Sequence, residues 1–195
     1  LDGIRGRELC NMTIGVVGTG RIGEMVIRNL SGFGCRILAC SPTEKESVKA
    51  HAEYVDLDTL WRRCDLITFH VPATEETFHM VNRETLRRMK DGVVLVNMAR
   101  GSVIDTSALI EALESGKVSA AALDVVENES HIYYQDFKYT PVCHHEMAVL
   151  NAMPNVLMTP HTAFFTDEAV SDMIEYSITS CLATVQGKEN PFRVN

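Results

Sequence analysis

At 195 residues, 46% hydrophobic and 23% charged, the chain has the length and composition of an ordinary globular protein with room for one good-sized core. Its formal net charge of -8, with no block of Lys or Arg, repels nucleic acid and anionic membrane surfaces, so neither is expected as a partner. Six cysteines without C-x-x-C spacing read as reduced thiols, and no basic-then-apolar leader or bilayer-length apolar stretch is read, so a cytoplasmic protein is expected.

The first ordered pattern is TIGVVGTGRIG, residues 13–23. Thr13, Ile14, Val16 and Val17 suit a strand buried on both faces, and Ile22, Met25, Val26 and Leu30 follow at helical spacing. Gly18, Gly20 and Gly23, in a G-x-G-x-x-G, therefore sit at a strand-to-helix junction. There the free N–H groups and positive dipole end of the helix can face a pyrophosphate, and absent side chains permit close approach of the backbone. The alternative is a tight turn without a ligand; the strand-loop-helix context favours a dinucleotide. Thr19, Arg21 and Ile22, between the glycines, are assigned to the same contact.

Arg36 to Cys40 (RILAC) reads as a second strand, Leu57 to Cys64 as a short helix, and Leu66 to Val71 (LITFHV) as a third strand stopped by Pro72. Asn82 is an N-cap for NRETLRRMK, a helix closed by Asp91-Gly92. Val93 to Val96 is the next buried strand, Asp105 or Thr106 caps TSALIEALESG, and Val118 to Leu123 leads into another strand. Strand and helix alternate, which predicts an α/β fold of the Rossmann type, a doubly wound parallel sheet whose ligands sit at the carboxyl ends of the strands. The irregular stretch from Glu127 to His145 exceeds ordinary loop length and reads as a functional or interface loop. Met147, Val149, Leu150 and Met153 suggest a short core-facing helix. Asp167 to Gln186, with Ala169, Val170, Met173, Ile174, Ile178, Leu182 and Val185 at helical spacing, suggests a long amphipathic helix accounted for by core packing.

A parallel sheet gathers polar residues at the edge that carries the glycine turn. One strand delivers Asn97 and Arg100, the next Asp124, Glu127 and Glu129, and Val156 to Thr159 leads to His161. A guanidinium holds a carboxylate in two hydrogen bonds, and an imidazole kept protonated by a carboxylate can supply a proton, so hydride and proton transfer to a carbonyl is a chemistry this set suits. Singly, each has a bland reading as a surface ion pair, a solvated loop acid or a satisfied histidine. The four adjacent donors Cys143, His144, His145 and Glu146 point apart on any regular element, and no second cluster has zinc spacing, so no metal is expected.

The segments GVVGTGRIG, FHVP, NMARGSVIDTSALIEALESGKVSAAALDV and MPNVLMTPHTAF resemble the D-isomer-specific 2-hydroxyacid dehydrogenases, in particular the D-lactate dehydrogenase branch that includes those of vancomycin-resistance operons. The resemblance implies that Arg100 binds the carboxylate and carbonyl of a 2-oxo acid, that His161 protonates the carbonyl oxygen as NADH delivers hydride, and that Glu129 supports the histidine. It further implies that Asp124 meets the nicotinamide carboxamide and that His70, Val71 and Pro72 line the cofactor cleft, with Asn97 and Ala99 read as cofactor contacts beside them. Where the family commonly ends its second strand in Asp, this chain has Ser41, which removes a hydrogen bond to NAD and a repulsion against NADP, so the cofactor is expected to be NAD or NADP with weak discrimination, and Lys45 is a candidate partner for the NADP phosphate.

The sequence opens at Leu1 without a start Met and is read as a piece of a longer protein whose substrate domain is largely absent from this chain. Residues 1–165 are expected to form the NAD(P)-binding domain, and residues 166–195 a helix and tail leading back toward the substrate domain. The expected reaction interconverts pyruvate and D-lactate, with a bulkier 2-oxo acid such as 2-oxoisocaproate or phenylpyruvate as the neighbouring possibility and a homodimer as the full-length assembly. Two readings from other classes are a cofactor-sensing corepressor, disfavoured by the acidic charge and the absence of a recruitment tail, and a fragment that binds cofactor without turning over.

Overall fold

The computed structural model describes residues 6–133, 136, 138 and 144–193, with His131 described by its backbone alone. The chain divides into two compact units, Leu1–Pro160 and His161–Asn195. The described residues of the first unit form one sheet of seven parallel strands, β1 (Thr13–Val17), β2 (Arg36–Cys40), β3 (Glu53–Tyr54), β4 (Leu66–Phe69), β5 (Val93–Asn97), β6 (Val118–Leu123) and β7 (Val156–Met158). Their spatial order is β3-β2-β1-β4-β5-β6-β7. The chain runs outward from β1 through β2 to β3, then returns to β1's other side and runs outward again. The strand order therefore reverses between β1 and β4, the position where doubly wound sheets open a crevice at their carboxyl edge.

The helices between the strands are α1 (Arg21–Ser31), α2 (Glu46–Lys49), α3 (Leu57–Arg63), α4 (Arg83–Arg88), α5 (Thr106–Glu114) and α6 (His145–Ala152). The strands alternate in side-chain direction and are apolar on both faces, so each face builds its own core. On one face Val16, Ile37 and Ala39 pack with Ile27 of α1 and Val48 of α2. On the other, Val17, Leu38, Ile67, Phe69 and Leu95 pack with Leu60 and Trp61 of α3, Leu86 of α4, Leu109 of α5 and Leu150 of α6. Gly15 has a steric reason on that face, since a β-carbon there would lie 2.8 Å from both Cys64 Sγ and a Leu60 methyl. Cys64 is fully buried and burial pushes its thiol up to about 12, the behaviour of a small apolar side chain. All five described cysteines are free, and Cys143 lies outside the described residues.

Local chemistry sets the helix starts. The Asn82 side chain accepts from the N–H groups of Glu84 and Thr85, and the Thr85 hydroxyl accepts from the Asn82 N–H, a reciprocal capping box. Asp105 caps α5 by accepting from Ala108 N–H at 3.0 Å, which decides between the two expected caps.

Three expectations require correction. The strand expected over residues 66–71 ends at Phe69, because its neighbours β1 and β5 end at Val17 and Asn97, opposite Phe69, and the His70 N–H to Val17 O bond is the last rung to β1. The two-residue strand β3 and the four-residue helix α2 are additional elements, too short to leave a periodic pattern. The amphipathic helix is present in the second unit as α7 (Asp167–Val185), capped by Thr166, but within the described residues of that unit its apolar side chains are mostly left exposed. Of that helix only Ala183 is buried, while Met173, Ile174, Ile178 and Leu182 are each more than half exposed. Periodicity marks an apolar face without stating what covers it.

Candidate active site

The turn after β1 is built from backbone contacts that admit no side chain. Gly18 adopts φ +91, donates its N–H to Cys40 O at 2.8 Å, and a β-carbon on it would lie 2.5 Å from His70 O. A β-carbon on Gly23 would lie 1.9 Å from Gly18 O. Both glycines are therefore demanded by the fold. Gly20 differs, because its φ of -63 is open to any residue and a β-carbon there meets nothing within 4 Å. Gly20 is the N-cap of α1, and the helix's first internal bond runs from Glu24 N–H to Gly20 O. The N–H groups of Arg21, Ile22 and Gly23 thus precede the ladder at the positive end of the helix. Arg21 and Ile22 are exposed beside them.

The neighbouring loops close around this turn. Thr19 is buried, and its hydroxyl hydrogen-bonds with that of Tyr54 on β3 at 2.9 Å, while Lys45 N–H donates to the same Tyr54 oxygen at 3.2 Å. Ser41, half-buried, follows β2 directly. The Lys45 ammonium, proposed from sequence for a ribose phosphate, is paired with Glu24 of α1. On the other side, His70 and Val71 abut Gly18, and Pro72 follows them exposed. His70 Nε2 shares a hydrogen bond with Thr68 Oγ1 at 3.0 Å, whereas Nδ1 is buried with no partner among the described residues. Burial lowers the His70 imidazole to about 4, so it stays neutral at ordinary pH.

At the end of β5 the buried Asn97 side chain shapes the next turn, its oxygen accepting from Ala99 N–H at 3.1 Å and its nitrogen donating to Arg100 O at 3.0 Å. Asn97 and Ala99 thus act on the turn that presents Arg100. Arg100 is exposed, its guanidinium donates to Ala99 O at 2.7 Å, and no carboxylate among the described residues forms an ion pair with it. Gly101 then passes so close to the loop after β6 that a β-carbon would lie 2.1 Å from Val126 O.

That second loop carries the acids. Asp124 is buried, donates its N–H to Asn97 O and accepts from the Thr159 hydroxyl. Glu129 starts a short 3-10 turn after Asn128 (φ 61), and its carboxylate accepts from Val126 N–H at 2.7 Å. Glu127 is engaged elsewhere, with His79 Nε2 at 2.7 Å and the Thr106 hydroxyl at 3.4 Å. Sequence reasoning missed the His79–Glu127 pair, which joins residues 48 apart, and the Thr19–Tyr54 bond, which depends on β3. The glycine at position 101, just past a strand, was the available signal of a close backbone approach.

The second unit opens with His161, in a left-handed conformation (φ 52) and edge-on to Phe164. Of the four donors discounted as a metal cluster, Cys143 lies outside the described residues. His144 caps α6 through Met147 N–H and meets Glu127 O at 3.0 Å, and Glu146 accepts from Ser107. Among the described residues no three His, Cys, Asp or Glu side chains are grouped to hold a metal, and no helix is long and apolar enough to cross a membrane.

Residues 2–163 match the family described as "D-isomer specific 2-hydroxyacid dehydrogenase, NAD binding domain". The chain is 44% identical over 182 residues to the D-specific alpha-keto acid dehydrogenase of Enterococcus faecium, covering 93% of this chain and 55% of that protein. It is also 44% identical over 179 residues to the aromatic 2-oxoacid reductase of Clostridium sporogenes, covering 91% and 54%. The crystal structure of the D-lactate dehydrogenase of Lactobacillus jensenii with NAD+ superposes with a TM-score of 0.91 at 36% identity, covering 100% of this chain and 59% of that one. The chain thus spans little more than half the length of these relatives.

Proposed function

Since the chain belongs to the D-isomer-specific 2-hydroxyacid dehydrogenase family through its NAD-binding domain, we propose that it is the cofactor half of an oxidoreductase that interconverts pyruvate and D-lactate. The observation that carries this proposal is the gathering, on one carboxyl edge of a parallel sheet, of an open glycine turn, the exposed guanidinium of Arg100 and the acidic loop of Asp124 and Glu129. The open space at Gly20, the N–H groups at the start of α1 and the unpartnered Nδ1 of His70 fit a dinucleotide, which when bound supplies or accepts hydride.

The protein's part is orientation, charge and one proton. Arg100, fixed by Ala99 O and free of acids among the described residues, offers its fork to the carboxylate and carbonyl oxygens of a 2-oxo acid. His161 gives a proton to the oxygen of that carbonyl during reduction and takes it back during oxidation, and Glu129 supports it in that exchange. The engagement of Glu127 with His79 and Thr106 supports Glu129, the other acid of the loop, in that role. Buried Asp124 serves the carboxamide end of the cofactor. Residues 166–195 lead into the substrate domain, which the exposed apolar side of α7 supports; a cytoplasmic homodimer completes the proposal.

A bulkier 2-oxo acid is the second reading, favoured by the equal identity to a relative named for aromatic 2-oxoacids. Oxidation of NADH by the gene product carrying this chain, compared with pyruvate, 2-oxoisocaproate and phenylpyruvate, separates the two. The highest kcat/KM is expected for pyruvate. Turnover of none of the three by a protein that binds NADH would refute the enzyme assignment in favour of a cofactor-sensing binding module.

A further inference from the structure

In doubly wound dinucleotide folds the adenosine ribose lies at the end of the second strand, where an acid holds the 2'-hydroxyl or a cation receives the 2'-phosphate. Here that position is Ser41, which supplies neither charge. Selection between the two cofactors therefore falls to the side chains beyond it, and the structure shows how they are arranged. The Tyr54 hydroxyl ties the segment to the glycine turn, bonding Thr19 on one side and Lys45 N–H on the other. The Lys45 side chain then reaches α1, where its ammonium lies 2.8 Å from Glu24 Oε2, and the second carboxylate oxygen, Oε1, accepts from the Ser47 hydroxyl at 2.7 Å. Lys49 is held in turn by Glu44 at 3.0 Å and Glu46 at 2.9 Å.

We propose that Glu24, the residue after the last glycine of the turn, selects NAD over NADP by binding Lys45 and so withholding its ammonium from a 2'-phosphate. Glu24 pairs with Lys45, and Glu44 and Glu46 pair with Lys49, while Arg28 of α1 also acts on Glu24, so an incoming phosphate meets lysines already held and must displace a carboxylate to reach Lys45. A 2'-hydroxyl carries no charge and escapes that penalty. The Lys45 and Ser47 contacts hold the Glu24 carboxyl below the usual range, so it remains ionised wherever the protein works. Glu24 thereby does from α1 what a carboxylate at position 41 would do from β2.

The inference rests on the dinucleotide assignment of the glycine turn, and one set of titrations tests both. NADH and NADPH are titrated by nicotinamide fluorescence against the wild type, Glu24→Gln, Lys45→Ala and the double variant. The wild type should bind NADH more tightly than NADPH. Glu24→Gln should tighten NADPH about fivefold and move NADH less than about twofold, the scale of a partly exposed charge contact. The double variant should lose that gain, and so should Glu24→Gln at about 0.5 M salt, where screening lengths fall to a few ångströms. An NADPH affinity indifferent to Glu24→Gln, in protein that binds NADH normally, overturns the inference alone. A gain that persists without Lys45 also overturns it, because it would be only the removal of an acid. Failure of the wild type to bind either cofactor overturns the dinucleotide assignment instead.

Discussion

Replacing Gly20 by Val should leave the fold standing and remove most dinucleotide binding, whereas Gly23→Ala should damage the fold itself. At Gly23 the new methyl would sit 1.9 Å from a backbone oxygen, with no flexible side chain to yield. Overpacking of this kind costs about 1–3 kcal/mol, a fall in Tm of about 2–12 °C for a chain of this size. At Gly20 the backbone is ordinary and nothing lies within 4 Å, so the stability change is confined to the weaker N-cap, about 0.5–1 kcal/mol or about 1–4 °C. The isopropyl group, however, fills the space in front of the free N–H groups of α1. Loss of one hydrogen bond to a charged group, about 1.5–3 kcal/mol, weakens NADH about 10- to 150-fold. NADH fluorescence titration beside thermal melts reads both quantities. Wild-type NADH affinity in a folded Gly20→Val protein would refute the reasoning, because the only demand left for a glycine there is the ligand's.

Arg100→Lys, in the gene product carrying this chain, should lower kcat/KM for pyruvate about 10- to 100-fold and spare NADH binding, since an ammonium keeps the charge and loses the fork; near-normal turnover would exclude the carboxylate clamp. Glu129→Gln should lower kcat/KM for reduction about 10-fold and spare NADH binding, since a residue that supports the proton donor acts on turnover and not on the cofactor. Glu127→Gln should instead lower Tm by loosening His79 and spare kcat/KM, and the reverse pattern would assign the catalytic role to Glu127. Burial lowers His70 to about 4, against about 6.5 in the unfolded chain. As pH falls the unfolded state takes up this proton first, so stability present above pH about 6.5 is lost between about 6.5 and 4, to a total of about 3 kcal/mol. His70→Asn should flatten Tm against pH across that window, and an unchanged slope would show that other groups control it.

The parts of this molecule that were legible in its sequence are those whose cause is local. Apolar runs of four or five residues with β-branched members specify strands buried on both faces, and their alternation with helices specifies parallel pairing. Asn82 and Asp105 announce helix starts because a cap acts within three residues. The glycine turn was legible for the same reason, although the sequence does not say that Gly18 and Gly23 answer to the fold while Gly20 answers to a ligand. That distinction depends on the His70 carbonyl and on the turn's own backbone. Lys45, Tyr54 and Thr19 meet because β3, two residues long, pairs with β2, and no period survives in two residues. The Lys45–Glu24 pair shows what such long-range contacts change. Read along the chain, a lysine four residues past Ser41 is a cation available to a phosphate; read in the fold, it is an ammonium already held by an acid 21 residues earlier. Charge availability, unlike charge count, is a property of the folded state. The same limit applies to α7, whose apolar side was visible in the sequence at 3.6-residue spacing, a pattern that marks such a face without stating what covers it.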